Sequence, residues 1–237
     1  MEHLEGRVCV TAALEARLRS IQSLMVDRQA HPSKVEGVIA LAAAAGVPVR
    51  RVARAELEKL VHGRTHGGVA LICGPRPLTT PERLIERLGE APLLLLLEGI
   101  DDARNLGFTL RTAEAMGADA VLIKKHLWDF DATDVSRASS GAFERLALVQ
   151  FEGVHLLKRL NLPIVGLTAA ARRPLDALDL TGPLVLAVGG EKRGLSGAVR
   201  KICSRVARIP TYKGMSLALS QAAGIAVAEA ARQRRTP

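Results

Sequence analysis

Five consecutive leucines, Leu93–Leu97, set between Pro92 and Gly99, constrain this chain more than any other stretch. A strand with one wet face alternates apolar and polar residues, so a strand with no polar position must be covered on both faces. The run is far too short to cross a bilayer, which takes about 20 apolar residues. It predicts a central strand, 93–98, in a sheet with helices on both sides, the arrangement of α/β proteins.

The rest of the pattern agrees. Residues 10–19 are amphipathic and 20–26 are strand-like. Pro32 can open a helix over 33–45 that stops at Gly46. A strand at 47–52, a short helix at 54–60 and a strand at 67–73 complete a small α/β unit. GPRPLTTP, 74–81, holds three prolines and a glycine, which is loop chemistry, and a short helix at 81–88 follows. The expected division is a first domain over 1–76, a linker over 77–91 and a second domain over 92–237. In the second, strands are predicted at 93–98, 119–123, 145–150, 163–167, 184–188 and 205–209. Helices are predicted at 105–116, 131–138, 152–160, 196–202 and 218–234. Strands alternating with helices imply a mostly parallel sheet. Ligands bind beyond the carboxyl ends of such strands, so the informative loops follow 98, 167, 188 and 209.

Charge narrows the partners. The formal net charge is +9. Residues 200–237 carry eight basic residues (Arg200, Lys201, Arg205, Arg208, Lys213, Arg232, Arg234, Arg235) against one acid, Glu229. That reads either as a solvated basic helix end, which suits the helix dipole, or as a surface for a polyanion, usually nucleic acid. Aromatics are only 3% of the chain, so base stacking cannot be the main binding mode. Cys9, Cys73 and Cys203 are scattered and odd in number, forming neither a disulfide framework nor a CxxC site. They suit free thiols in a reducing cytoplasm. The histidines show no tight ligand spacing, so no metal is expected, and His62 and His66 read as loop polar groups. Glu2 and Glu5 replace the basic start of a signal peptide. The expectation is a cytoplasmic protein without a membrane segment.

Three loops hold the residues that could do chemistry. In EGIDDARNLGFTLRTAEAMGADAVLI, 98–123, a strand end is followed by Asp101, Asp102, Asn105, Gly107 and Arg111. With a helix from Asn105, Arg111 falls in its second turn and can lean back toward the loop. Asp101 and Asp102 could simply cap that helix. AVGGEKRGLS, 187–196, is a glycine-rich turn with one acid, Glu191. IPTYKGMSLALSQ, 209–221, breaks a strand and a helix with Gly, Ser and the chain's one Tyr. Glycine-rich backbone can approach a flat or anionic ligand closely and offer it N–H groups. GGEKRG fits neither GxGxxG nor GxxxxGK, so a dinucleotide fold or a P-loop is not supported.

Together, in this order and spacing, the three loops resemble the motifs of the SpoU-type RNA methyltransferases of the SPOUT superfamily. Asn105-Leu106-Gly107 with Arg111-Thr112-Ala113 matches the first motif, and Gly189-Gly190-Glu191 with Gly194-Leu195-Ser196 the second. Ile209-Pro210, Gly214, Ser216-Leu217 and Ser220, with the closing Glu229 and Arg232-Gln233-Arg234, match the third. RASSGAF, 137–143, also matches a family segment, and the likeness covers about residues 93–235. The stretch from GRVCVTAAL to THGGVALI resembles the small ribosomal-protein-like RNA-binding domain often fused ahead of this catalytic domain.

The resemblance implies a deep trefoil knot in the C-terminal domain, which ordinary topological rules exclude, and a homodimer. It implies S-adenosylmethionine wrapped in a bent pose by the loop at 209–217, and methyl transfer to a ribose 2′-hydroxyl of RNA. The fused first domain puts rRNA ahead of tRNA. Leu167, Thr168, Gly189, Gly190, Gly194, Ile209, Tyr212, Met215 and Leu217 are the implied cofactor contacts. Asn105, Arg111, Glu191 and Ser216 are the implied catalytic set. Asn105 orients Arg111 or the ribose, Glu191 fixes the glycine turn or positions substrate, and Ser216 fixes the loop. Arg111 is expected to face cofactor bound by the other subunit. Family precedent makes this arginine the base, but a guanidinium almost never loses its proton. A cationic Arg111 that holds the adjacent phosphate and stabilises a developing alkoxide asks less of it. The rival reading pairs Arg111 with Asp101 or Asp102. Two positions depart from the family: Ala103 stands where proline is usual and Ala218 where asparagine is. Ala218 can neither donate nor accept a side-chain hydrogen bond, so the alternative function is a non-catalytic RNA-binding relative that kept the fold and lost turnover.

Overall fold

The computed structural model describes residues 1–61, 66–100, 102–124, 130–190 and 193–235. The chain begins with β1 (Glu2–Glu5), α1 (Arg7–Ala16), β2 (Ile21–Asp27), α2 (Pro32–Ala44), β3 (Val49–Val52), α3 (Arg54–Glu58) and β4 (Val69–Cys73). There follow α4 (Pro81–Arg87), β5 (Leu93–Leu97), α5 (Ala103–Ala115), β6 (Ala120–Lys124), α6 (Ala132–Ser139), α7 (Ala142–Arg145) and β7 (Ala147–Phe151). The last elements are α8 (Val154–Leu160), β8 (Ile164–Leu167), β9 (Leu184–Val188), α9 (Gly197–Ile202), β10 (Arg205–Ala207) and α10 (Leu219–Arg235). Short 3-10 turns lie at Leu175–Ala177 and Tyr212–Gly214. The elements fall into two compact units: Met1–Pro77 with Phe130–Arg145, and the remainder.

The first unit holds a sheet in the order β1-β4-β2-β3. β4 runs antiparallel to β1 and β2, and β3 runs parallel to β2. Pro32 opens α2 as the sequence predicts. β1 is an unpredicted strand: EHLE is too short to show a period, and its pairing with β4 creates it. One sheet face buries Leu4, Leu24, Val26 and Leu71 against α1 and α2, and the other packs Met25, Val52 and Ala70 on Leu57 of α3.

Residues 130–145, inside the predicted second domain, pack in this first unit. Arg19 donates from Nε and Nη2 to the Glu144 carboxylate at 2.8 and 2.9 Å, and both side chains are fully buried. Arg19 also donates to the Gly74 carbonyl at 2.9 Å and pairs with Glu2. Burial works against its charge, but the hydrogen bond and charge of Glu144 and the hydrogen bond of Glu2 outweigh burial and raise its pKa. The Phe143 ring faces the guanidiniums of Arg19 and Arg76 at 5.7 and 5.4 Å. At the other end of the segment, Thr133 Oγ1 donates to the His3 carbonyl at 2.8 Å, and Arg137 pairs with Glu5 at 2.7 Å.

The second unit is a six-stranded sheet in the order β10-β8-β9-β5-β6-β7, with every neighbouring pair parallel. The five leucines form β5 near its centre, each fully buried, as their sequence requires. Leu94 and Leu96 join a core with Leu122, Val149, Leu157 and Val199. The alternate leucines face the other side. α10 packs against both α5 and β9. The Asp102 carboxylate accepts from Asn105 N–H at 2.8 Å and caps α5. The helix therefore starts at Ala103, two residues before the predicted start. Arg111 consequently lies in its third turn, not its second.

Candidate active site

The carboxyl ends of β8, β9 and β10 converge on one cavity of about 400 Å³. Thr168, Ala169 and Ala170 follow β8 into it, Gly189 and Gly190 follow β9, and Arg208 and Ile209 follow β10. Thr211, Gly214, Met215, Ser216 and Leu217 close it, with Leu219 and Ala222 of α10 behind. Leu167, Val188, Ile209, Met215 and Leu217 give it apolar walls. A volume of this order matches small-molecule sites, which span roughly 300–1,000 Å³.

The glycine turn is shaped by close backbone approach. A Cβ on Gly189 would collide with the Gly194 backbone, and one on Gly99 with the Gly190 Cα. Gly194 has φ +60°, and its N–H donates back to the Gly190 carbonyl at 2.8 Å. Only residues without a Cβ let these segments pack this tightly.

Glu98, missed by the sequence reading, anchors the far end of that turn. It follows β5 and is 7% exposed. Its two carboxylate oxygens accept from Ser196 N–H and Ser196 Oγ, both at 2.8 Å, and Lys124 Nζ lies 3.7 Å away. Ser196 Oγ in turn accepts from Val199 N–H at 3.3 Å, capping α9. Burial, helped by the Glu98 charge, pushes the nearby Cys203 thiol above its ordinary pKa. The available signal was an acid ending an otherwise apolar strand, since a buried charge needs partners.

Eight of the nine implied cofactor contacts line the cavity: Leu167, Thr168, Gly189, Gly190, Gly194, Ile209, Met215 and Leu217. Tyr212 does not; it is 79% exposed, with Lys213 Nζ 5.3 Å from its ring centre. Ser216 lines the cavity. Asn105 Oδ1 accepts from Ser220 Oγ at 3.2 Å, joining the start of α5 to the first turn of α10. Arg111 is exposed on α5, outside the cavity lining, and among the described residues it makes no ion pair, Asp102 included. Asp101 and Glu191 lie outside the described residues. Gly214 of the third motif and Arg208 of the basic set also line the cavity, as do Ala169, Ala170, Val188, Thr211, Leu219 and Ala222, which the sequence did not single out. Each is close in sequence to a motif residue, and that adjacency was the signal. Among the described residues no three His, Cys, Asp or Glu side chains gather where they could hold a metal ion. No described helix is long and apolar enough to cross a membrane.

Comparison with known proteins matches both units. The model of the SpoU rRNA Methylase family matches residues 92–228. The model described as RNA 2′-O ribose methyltransferase substrate binding matches residues 3–78. The chain is 32% identical to the 23S rRNA (guanosine-2′-O-)-methyltransferase RlmB of Pseudomonas putida, over 99% of this chain and 98% of that protein. It is 34% identical to the protein of the same name from Pseudomonas aeruginosa, over 98% of this chain and 97% of that one. The crystal structure of an RNA 2′-O ribose methyltransferase superposes with a TM-score of 0.80 at 29% identity, covering 98% of this chain and 88% of that one. The SpoU methyltransferase AviRb from Streptomyces viridochromogenes, in complex with AdoMet, shares the fold with a TM-score of 0.82 at 23% identity, covering 99% of this chain and 90% of that one.

Proposed function

We propose, because this chain belongs to the SpoU rRNA methylase family, that it methylates the ribose 2′-hydroxyl of a guanosine in 23S rRNA with S-adenosylmethionine as donor. The ribose 2′-O-methyltransferase activity follows from the family and from relatives matched over nearly their whole length; the guanosine and the 23S rRNA come from the names those relatives carry. A cytoplasmic location goes with that substrate. The observation that carries the reading is the cavity at the ends of β8, β9 and β10, walled by glycine backbone and apolar side chains.

The residues present fit the cofactor. Leu167, Ile209 and Leu217 offer apolar surface, and Gly189 and Gly190 offer backbone that no Cβ shields. S-adenosylmethionine, when bound, supplies an already activated sulfonium methyl group. The chain must align the ribose oxygen and ease the loss of its proton. Arg111 does this as a cation: beside the ribose it holds the neighbouring phosphate and stabilises negative charge building on the oxygen. Asn105, tied to Ser220, fixes the start of the helix that carries Arg111.

Arg111 is exposed and apart from the cavity of its own chain, which supports a homodimer in which it serves the cavity of a second copy. Exposed Phe108 on α5 and Ile225 on α10 supply apolar surface for that pairing. The tight passage of Gly99 against Gly190 and of Gly189 against Gly194 suits the threaded segments of a trefoil knot. The alternative, a relative without turnover, has no support from the comparisons, whose family and relatives are named as methyltransferases.

Arg111→Ala tests the assignment. Transfer of labelled methyl groups to rRNA from a strain lacking the modification is expected to fall by on the order of 10²–10³, the usual cost of losing one transition-state donor. Affinity for S-adenosylhomocysteine and melting temperature are expected to stay at the wild-type values. Full methylation by the variant overturns the role of Arg111.

A further inference from the structure

The loops that line the cavity are rich in exposed cations. Arg208 lines the cavity. Arg172 and Arg173 follow closely on Ala170, which also lines it, and the Arg173 carbonyl accepts from Arg208 N–H at 2.9 Å, holding the two loops side by side. Arg193 precedes Gly194 of the lining, and Lys213 precedes Gly214. All five side chains are exposed, and among the described residues none forms an ion pair. Three separate loops thus carry exposed cations at or next to residues that line one cavity.

S-adenosylmethionine is itself a net cation, because its carboxylate and ammonium cancel and the sulfonium remains. Its demethylated product, S-adenosylhomocysteine, has lost that charge and is neutral overall. A cationic collar opposes entry of the first and is indifferent to the second, while it attracts a polyphosphate. Four of the five are arginines, whose planar forks suit phosphate oxygens.

We propose that Arg172, Arg173, Arg193, Arg208 and Lys213 form a collar that docks the RNA backbone beside the target ribose and couples RNA to cofactor by charge. Without RNA the collar holds back the cationic cofactor. With phosphates lying on it, that opposition is lifted. Linkage makes the effect reciprocal, so the cofactor tightens RNA by the same factor that RNA tightens the cofactor. Methyl transfer removes the sulfonium charge and with it the electrostatic coupling. The inference rests on the reading of the cavity as the cofactor site.

The test is isothermal titration of the full chain, free of RNA, with S-adenosylmethionine and with S-adenosylhomocysteine, comparing wild type with R172Q/R173Q. One unit charge about 10 Å away in a water-like medium changes an association constant by on the order of twofold. The double variant is therefore expected to bind S-adenosylmethionine about fourfold tighter at low salt and S-adenosylhomocysteine unchanged, and the difference should vanish at about 0.5 M salt. Its affinity for a labelled hairpin RNA is expected to fall, with a salt slope shallower by about two. R193Q/K213Q, drawn from the other loops, should likewise tighten S-adenosylmethionine, leave S-adenosylhomocysteine unchanged and weaken the hairpin RNA, so one misfolded variant cannot decide the matter. An unchanged ratio of the two cofactor affinities, or unchanged RNA binding, in both variants overturns the collar while leaving the cofactor site standing. If wild type binds neither cofactor form, even with the hairpin present, the cofactor reading itself falls and the collar with it.

Discussion

At Ala218 the carbonyl accepts from Ala222 N–H at 2.9 Å, which makes this residue the N-cap of α10. Alanine offers no side-chain oxygen to the first-turn N–H groups, and asparagine is among the best residues in that place. Ala218→Asn is therefore expected to stabilise the protein by about 1 kcal/mol, raising the melting temperature by about 2–4 °C for a chain of this size. A calorimetric scan that shows no rise would remove the capping account. Ala103 has a matching explanation: it is the first residue of α5, where proline's fixed φ helps and its missing N–H costs nothing. Much of the cavity lining was legible residue by residue, because Gly189 is needed where its backbone meets that of Gly194, and Gly194 where φ is +60°. Glu98 was not legible. Nothing near it in sequence says that Ser196 will meet its carboxylate, since only the fold brings the two together.

Among the elements, the strands and helices of the second unit were the clearest in sequence, because strands buried on both faces read as unbroken apolar runs. The ends were harder. Asp102 set the start of α5 by capping, a choice between two adjacent aspartates that sequence left open. The pair α6–α7 shows what periodicity cannot tell. RASSGAF reads as part of the second domain, yet its helices carry Glu144, the buried partner of Arg19 in the first unit. Breaking a buried pair from one side leaves an uncompensated charge, which costs about 3–5 kcal/mol. Glu144→Ala is expected to lower unfolding free energy by that amount in urea titrations followed by circular dichroism. A loss within the usual surface range of about 0.5 kcal/mol would mean that Arg19 is held by Glu2 and the Gly74 carbonyl alone.

For the molecule as a whole, the two-part division was visible in the proline-rich stretch at 74–81, and the net charge of +9 pointed to a polyanion. What sequence did not show is that the first unit is assembled from two separated stretches, Met1–Pro77 and Phe130–Arg145. A fragment ending at Pro77 keeps its sheet but loses the helices that pack on α1 and β1, and leaves Arg19 without Glu144. It is expected to unfold at lower urea than the same unit in the full chain, and a peptide of residues 130–145 added in trans should restore part of the difference. Equal hydrogen-exchange protection in fragment and full chain would show that the second stretch is dispensable. The same division sets a timetable for synthesis. A ribosome finishes Pro77 well before Arg145, and at about 5–20 residues per second the gap lasts several seconds. For an interval of that length the first stretch stands without the last two helices of its unit. Its completion waits on the translation of β5 and β6, strands that belong to the other unit.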